Sequence, residues 1–313
     1  MNTRASWLDH RMRNLIVGAV ACIACLGAFG ASGPGGRQTL VHQGAERSYV
    51  VRLPATAPLP DRRVPLVLVL HGGGGDAANA EAMTGFTDKA QREGFIVVYP
   101  EGSGRLKGRL LTWNAGHCCG RAMQRRVDDV GFIRTLIARL VADYPVDPRR
   151  VYVTGMSNGG MMTHRLGIEL SDRVAAIAPV VAALFGDEKE PSNAVPALMI
   201  NGQLDTHVPP TGGAPGGRFT DAWDGTPTQP TAAQGSFWAM ANDCTTQPEI
   251  RDDGPLVRTR YRCTPGREVE LLLVKDNGHA WPGGHAGSRR GDTPSTAVNA
   301  TDLIWSFFKA HSK

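Results

Sequence analysis

Beyond residue 28 the sequence has no apolar run long enough to cross a bilayer as a helix. It also has no Gly-x-x-x-x-Gly-Lys-Ser/Thr pattern, so the glycines at 72–75 are not a nucleotide phosphate loop. Basic residues such as Arg109, Arg121, Arg125 and Arg149 are scattered rather than clustered. The formal charge of +5 therefore describes a solvated surface, not a nucleic-acid track. No internal repeat, low-complexity tail or compositional break marks a second domain. Cysteine is scarce, with six in 313 residues, two of which (Cys22 and Cys25) fall in the first thirty positions.

Those thirty positions carry a basic start (Arg4, Arg11, Arg13) and an apolar stretch from Leu15 to Ala28. Small residues follow at Ala28, Gly30 and Ala31. The pattern predicts a secretory signal over 1–30 and one domain over 31–313, placing the mature protein outside the cell or in a periplasm. A retained anchor, or a lipid on Cys25, is the alternative. Removing Arg4, Arg11, Arg13 and Asp9 lowers the formal charge by two. An exported chain with Cys118, Cys119, Cys244 and Cys263 left over is expected to hold two disulfides. Adjacent cysteines seldom pair, so Cys118 and Cys119 are each expected to reach one of Cys244 and Cys263. The four thiolates have poor spacing for zinc, and neither metal nor cofactor is expected.

Along the chain, apolar β-type runs alternate with segments of helical period. Strands are expected at Gly44–Leu53, Val64–Leu70, Phe95–Tyr99, Val151–Thr154, the start of Val174–Leu184, Val195–Ile200, Val257–Thr264 and Val269–Lys275. Helices are expected at Ala77–Glu93, Val127–Tyr144, after Gly159, at Gln234–Asn242 and at Val298–Lys309. Pro209–Pro230, rich in Gly, Pro and Thr, reads as an exposed loop. The alternation predicts a single α/β domain with a mostly parallel sheet covered by helices on both faces.

The chemistry centres on Val151 to Met162. A strand feeds Gly155-Met156-Ser157-Asn158-Gly159 and then a helix. A Gly-x-Ser-x-Gly turn between strand and helix strains the serine and exposes its hydroxyl, while side chains at the two glycines would strike the crossing backbone. Ser157 needs a base. His279 follows a strand and a glycine, and Asp205, also just past a strand, can orient it. His207, His71 and His164 are the rival bases, and Asp128 or Asp129 the rival acids. For these a rim, packing or capping role is the simpler reading. The bare N–H groups after His71 suit an oxyanion hole, Gly73 first and Gly74 next, with the Asn158 N–H as second donor. Trp281, Trp113 and Trp223 fall in segments expected to border the site. Trp281 is the first choice for substrate contact and Trp113 the second.

The order Ser157, Asp205, His279 is that of α/β-hydrolases. The segments HGGGGD from His71, YPEG from Tyr99, WNAGHCCG from Trp113, DDVGF from Asp128, GMSNGG from Gly155 and GHAWPGG from Gly278 carry the resemblance further. Over roughly 45–285 the chain resembles the secreted polyhydroxybutyrate depolymerase-like and feruloyl esterase-like enzymes related to carbohydrate esterase family one. That resemblance implies a Ser157–His279–Asp205 triad, an oxyanion hole from Gly73 and Asn158, and a disulfide fastening the loop beside the site. It implies esters of 3-hydroxybutyrate, hydroxycinnamoyl groups or acetylated xylan as substrates. With 34 residues after His279, no polymer-binding module is expected, which favours soluble or amorphous esters. A binding protein that has lost catalysis is the alternative of another class. The sequence leaves oligomeric state open.

Overall fold

The computed structural model describes residues 36–56, 62–106, 108–216, 222–289 and 291–313. The expected signal over 1–30 lies outside the described residues. Among the described residues, no helix is long and apolar enough to cross a membrane.

Ten strands form one sheet. In chain order they are β1 (Arg37–His42), β2 (Ala45–Arg52), β3 (Val64–Leu70), β4 (Ile96–Pro100), β5 (Val146–Met156), β6 (Ala176–Val180), β7 (Ala197–Gly202), β8 (Glu249–Asp252), β9 (Leu256–Tyr261) and β10 (Val269–Val274). Their spatial order is β1-β2-β4-β3-β5-β6-β7-β10-β9-β8. The central strands β4, β3, β5, β6, β7 and β10 are parallel, and the pairs at either edge are antiparallel. Parallel strands need crossovers, and helices supply them except between β6 and β7, which a loop connects. The helices are α1 (Ala77–Thr84), α2 (Phe86–Glu93), α3 (Gly120–Gln124), α4 (Asp129–Asp143), α5 (Asn158–Glu169), α6 (Thr231–Ala241) and α7 (Ala300–Phe308).

The period-two geometry of a strand explains how one apolar run serves two cores. In β3 all seven residues are buried. Leu66, Leu68 and Leu70 face the layer built by α4, α5 and α6, while Val67 and Val69 face α1, α2 and α7. On the second face Phe95 stacks on Trp305, and Tyr152 on Phe308, at 4.0 and 4.8 Å between centroids.

The expected helix over Ala77–Glu93 is two helices. Gly85 takes φ 65°, closing α1 and opening α2, a conformation glycine adopts without steric cost. The expected cysteine pairing is corrected: Cys118 bonds Cys119, and Cys244 bonds Cys263. Topology is the reason. Cys244 follows α6 and Cys263 follows β9, bringing their Cα atoms to 4.3 Å. Cys118 and Cys119 sit in the loop before α3, with the Cys118 sulfur 3.7 Å from the Asn158 amide.

The Cys244–Cys263 bridge lies near the end of the sheet where β10 begins, since Tyr261 pairs with Val269. The site described below lies at the other end. The bridge closes a sequence separation of 19. Converting both cysteines to serine is expected to cost about 3 kcal/mol of stability through the freed unfolded chain. Urea unfolding should show this loss, with the rate of ester hydrolysis at low temperature unchanged.

Candidate active site

Ser157 stands between β5 and α5 with φ 57° and ψ −122°, a conformation that costs a non-glycine residue about 1–3 kcal/mol. Two glycines make room for the turn. A Cβ on Gly155 would lie 2.6 Å from the Gly159 carbonyl oxygen, and one on Gly159 only 2.4 Å from that of His71. The helix start is thus pressed onto the end of β3, and Ser157 is lifted clear at the carboxyl edge of the sheet.

The other two groups come from the next strands along that edge. Asp205 follows β7 and His279 follows β10, which pair in parallel up to Gly202 and Val274. His279 Nε2 lies 2.8 Å from Ser157 Oγ, and its Nδ1 lies 2.7 Å from Asp205 Oδ2. A carboxylate can only accept, so Nδ1 carries the proton and Nε2 is free to accept from the serine hydroxyl. Asp205 is buried, and its Oδ1 accepts the N–H groups of His207 and Val208, both at 2.8 Å. The His279 loop is held by Asp292, whose Oδ2 accepts the His279 N–H at 2.6 Å. Asp292 was not among the expected site residues. It lies thirteen positions downstream in a Gly- and Ser-rich segment, and no motif signals it.

Among the described residues, the N–H groups of Gly73 and Asn158 donate to no protein acceptor, whereas Gly74 N–H donates to Leu111 and Gly75 N–H to Gly72. A Cβ on Gly73 would lie 3.6 Å from that of Asn158, so the two residues are close neighbours, and Asn158 follows Ser157 in the chain. The Gly74 alternative fails because its N–H is already taken.

The segments that carried the resemblance interlock. The Asn158 amide forms two hydrogen bonds with the Trp113 backbone, accepting from its N–H at 2.7 Å and donating to its carbonyl at 3.0 Å. Trp113 Nε1 donates to the His71 carbonyl, and His71 Nε2 accepts the Gly102 N–H, both at 3.0 Å. Asn114 N–H donates to Asp129, which also receives Arg47, and Arg47 donates in turn to the Glu101 carbonyl. Trp113 and Trp281 are therefore structural, contrary to the substrate-contact expectation. Both are fully buried, and Trp281 packs edge-on to Phe86 while donating to Thr301 Oγ1. Trp281, although two places from His279, packs into the second core. Trp223 is half-buried against Phe185.

The rival residues have other work. Asp128 caps α4, accepting from Gly131 N–H, and Asp129 is the buried partner of Arg47. His71 and His164 are both buried, and desolvation pushes each imidazole down to about 4. His164 joins Trp238 and Gln234 in a buried chain. The unfolded chain takes up these protons near pH 6.5, while the folded chain refuses them until about pH 4. Stability therefore falls as pH drops through that window, by about 2 kcal/mol per histidine at pH 5. The urea midpoint should fall between pH 7 and pH 5, and the slope should be shallower in His164→Asn.

A cavity of about 580 Å³ lined by Arg258, Arg260, Tyr261 and Phe307 contains none of the three aligned side chains. Residues 47–209 match the family model described as esterase PHB depolymerase. The chain belongs to that family. The match includes Ser157 and Asp205 and stops before His279. The chain is 30% identical to feruloyl esterase B of Piromyces equi over 77% of its own length and 44% of the relative's. It is 26% identical to the poly(3-hydroxybutyrate) depolymerase of Ralstonia pickettii, over 82% and 56%. The chain thus spans about half the length of these two family members. The acetyl xylan esterase of Aspergillus awamori superposes with TM-score 0.60 at 13% identity, covering 88% of this chain and 99% of that one. That likeness identifies the α/β-hydrolase fold.

Proposed function

We propose that this family member is an exported serine esterase that hydrolyses carboxylic esters through an acyl-enzyme. The observation that carries the reading is the unbroken row Ser157 Oγ, His279 Nε2, His279 Nδ1, Asp205 Oδ2, with contacts of 2.8 and 2.7 Å. Ser157 Oγ attacks the ester carbonyl as Nε2 takes its proton. The carbonyl oxygen becomes an oxyanion and accepts the N–H groups of Gly73 and Asn158, an arrangement in which each donor is worth about a hundred- to a thousandfold in rate. Nε2 then protonates the departing alkoxide. Water, deprotonated by Nε2, attacks the acyl carbon and releases the acid and Ser157. Asp205 holds the imidazole in the tautomer this requires and balances its charge in the transition state.

For substrate, 3-hydroxybutyrate oligomers or amorphous polyhydroxybutyrate are the best match. The rim favours an apolar aliphatic chain: Leu204, beside Asp205, is 59% exposed. Leu106 and Leu110, in the loop that accepts the Gly74 N–H, are exposed as well. The feruloyl alternative is favoured by the likeness to the Piromyces enzyme, and acetylated xylan is the other plant cell-wall substrate it is tested with. A matched panel of 3-hydroxybutyrate dimers and trimers, methyl ferulate and acetylated xylan separates them. The highest kcat/KM is expected on the hydroxybutyrate oligomers, and a tenfold preference for methyl ferulate overturns that choice.

A further inference from the structure

His207 is not needed for the proposed reaction, yet it lies against it. Its ring stacks on His279 with centroids 4.9 Å apart and planes 23° from parallel. Its Nδ1 is buried and, among the described residues, has no hydrogen-bond partner. A buried imidazole nitrogen without a partner is uncommon, because the lost hydration is not recovered. Asp205, His207 and His279 each offer one ligand atom, and the three atoms lie within 4.8 Å of one another.

We propose that these three residues form an inhibitory site for a divalent transition cation of the zinc type. Two imidazoles and one carboxylate are a donor set for zinc, copper or nickel and a poor one for magnesium or calcium, which prefer oxygen throughout. Asp205 Oδ1 stays with the His207 and Val208 N–H groups, and Oδ2, which otherwise accepts the His279 Nδ1 proton, is the oxygen the cation takes. Either nitrogen of His279 gives the same outcome. A cation on Nε2 occupies the atom that takes the serine proton. A cation on Nδ1 moves the ring proton to Nε2, which then cannot accept. Either way the cation removes the base.

The inhibition arm rests on the serine esterase reading, and the binding arm does not. In the binding arm, Ser157→Ala is titrated with Co²⁺, and visible d–d bands of a low-coordinate nitrogen and oxygen site are expected. In the inhibition arm, hydrolysis of a soluble ester is followed against added Zn²⁺, each variant being referred to its own rate in EDTA. The unaltered chain should be inhibited at micromolar Zn²⁺ and restored by EDTA. His207→Phe keeps a ring against His279 but has no nitrogen. It should need at least about ten times more Zn²⁺ for half-inhibition, since removing a group merely hydrogen-bonded to a ligand already costs a metal site that much. His207→Ala should behave alike. Absence of cobalt bands, zinc sensitivity in both His207 variants equal to that of the unaltered chain, or equal inhibition by Mg²⁺ overturns the proposal. Persistent turnover by Ser157→Ala overturns the esterase reading and leaves the cobalt result standing.

Discussion

Ser157→Ala is expected to lower kcat/KM on any accepted ester on the order of a millionfold, the scale on which removal of a nucleophile acts when its partners cannot substitute for it. That factor corresponds to about 8 kcal/mol of transition-state stabilisation. The fold should hardly notice. Among the described residues the Ser157 hydroxyl hydrogen-bonds only to His279, while the backbone N–H that donates to Val180 and the carbonyl that accepts from Met161 are kept by alanine. Thermal unfolding within a degree or two of the parent, together with loss of covalent labelling by a fluorophosphonate, is the expected pair of results. Asp205→Asn should cost about ten-thousandfold, because an amide can hold the imidazole in the wrong tautomer. Substantial labelling of Ser157→Ala, or an Asp205→Asn variant with near-parent rates, would refute the role given to the row.

The second large effect is on stability. Arg47→Met should destabilise the protein by about 3–5 kcal/mol, because it strands a buried carboxylate. Asp129 is fully buried, and Arg47 donates to it at 2.6 Å while lying over the Phe132 ring. At roughly 2–4 °C per kcal/mol, the melting temperature should drop on the order of 10 °C. The sign of the pH dependence follows from the shift. Burial pushes the Asp129 carboxyl above its ordinary value, and Arg47 opposes that push. Without Arg47 the carboxyl rises further, so the folded chain holds a proton that the unfolded chain has released. Stability then falls as pH rises above the unfolded carboxyl range. The deficit should be smaller at pH 5 than at pH 8, and Arg47→Met combined with Asp129→Asn should recover part of it. A deficit below about 1 kcal/mol, or one indifferent to pH, refutes this account.

What could be read before the structure depended on whether a feature buries apolar surface. β3 and β10 are dense apolar runs because both their faces are covered, and they were legible. β1 and β8 were not. β1 alternates exposed and half-buried residues, and β8 is exposed throughout, so neither carries a hydrophobic signal, and pairing with β2 and β9 defines them. The five-residue α3 is too short to show a period. In the site, Ser157, Asp205 and His279 each come soon after the end of a strand, and parallel topology carries all three to one edge. Contacts made by loops across long separations were hidden. Arg47 to Asp129, Asp292 to His279 and the turning of Trp281 into the second core have no local pattern. The cysteine pairing failed for a related reason: elimination on the sequence cannot see that α6 and β9 bring Cys244 and Cys263 together.

The Asn158 amide, fastened to both sides of the Trp113 peptide, has an evolutionary reading. In the proposed reaction one residue supplies a backbone donor to the reacting oxygen, and its side chain holds the neighbouring loop. The leucine side chains at 106, 110 and 204 are exposed, and an aliphatic side chain has no group to hydrogen-bond a neighbouring loop. Substitutions at such surface positions usually change stability by no more than about 0.5 kcal/mol. Laboratory selection for a new acyl preference has those three positions open to it, with Asn158 and Trp113 held fixed.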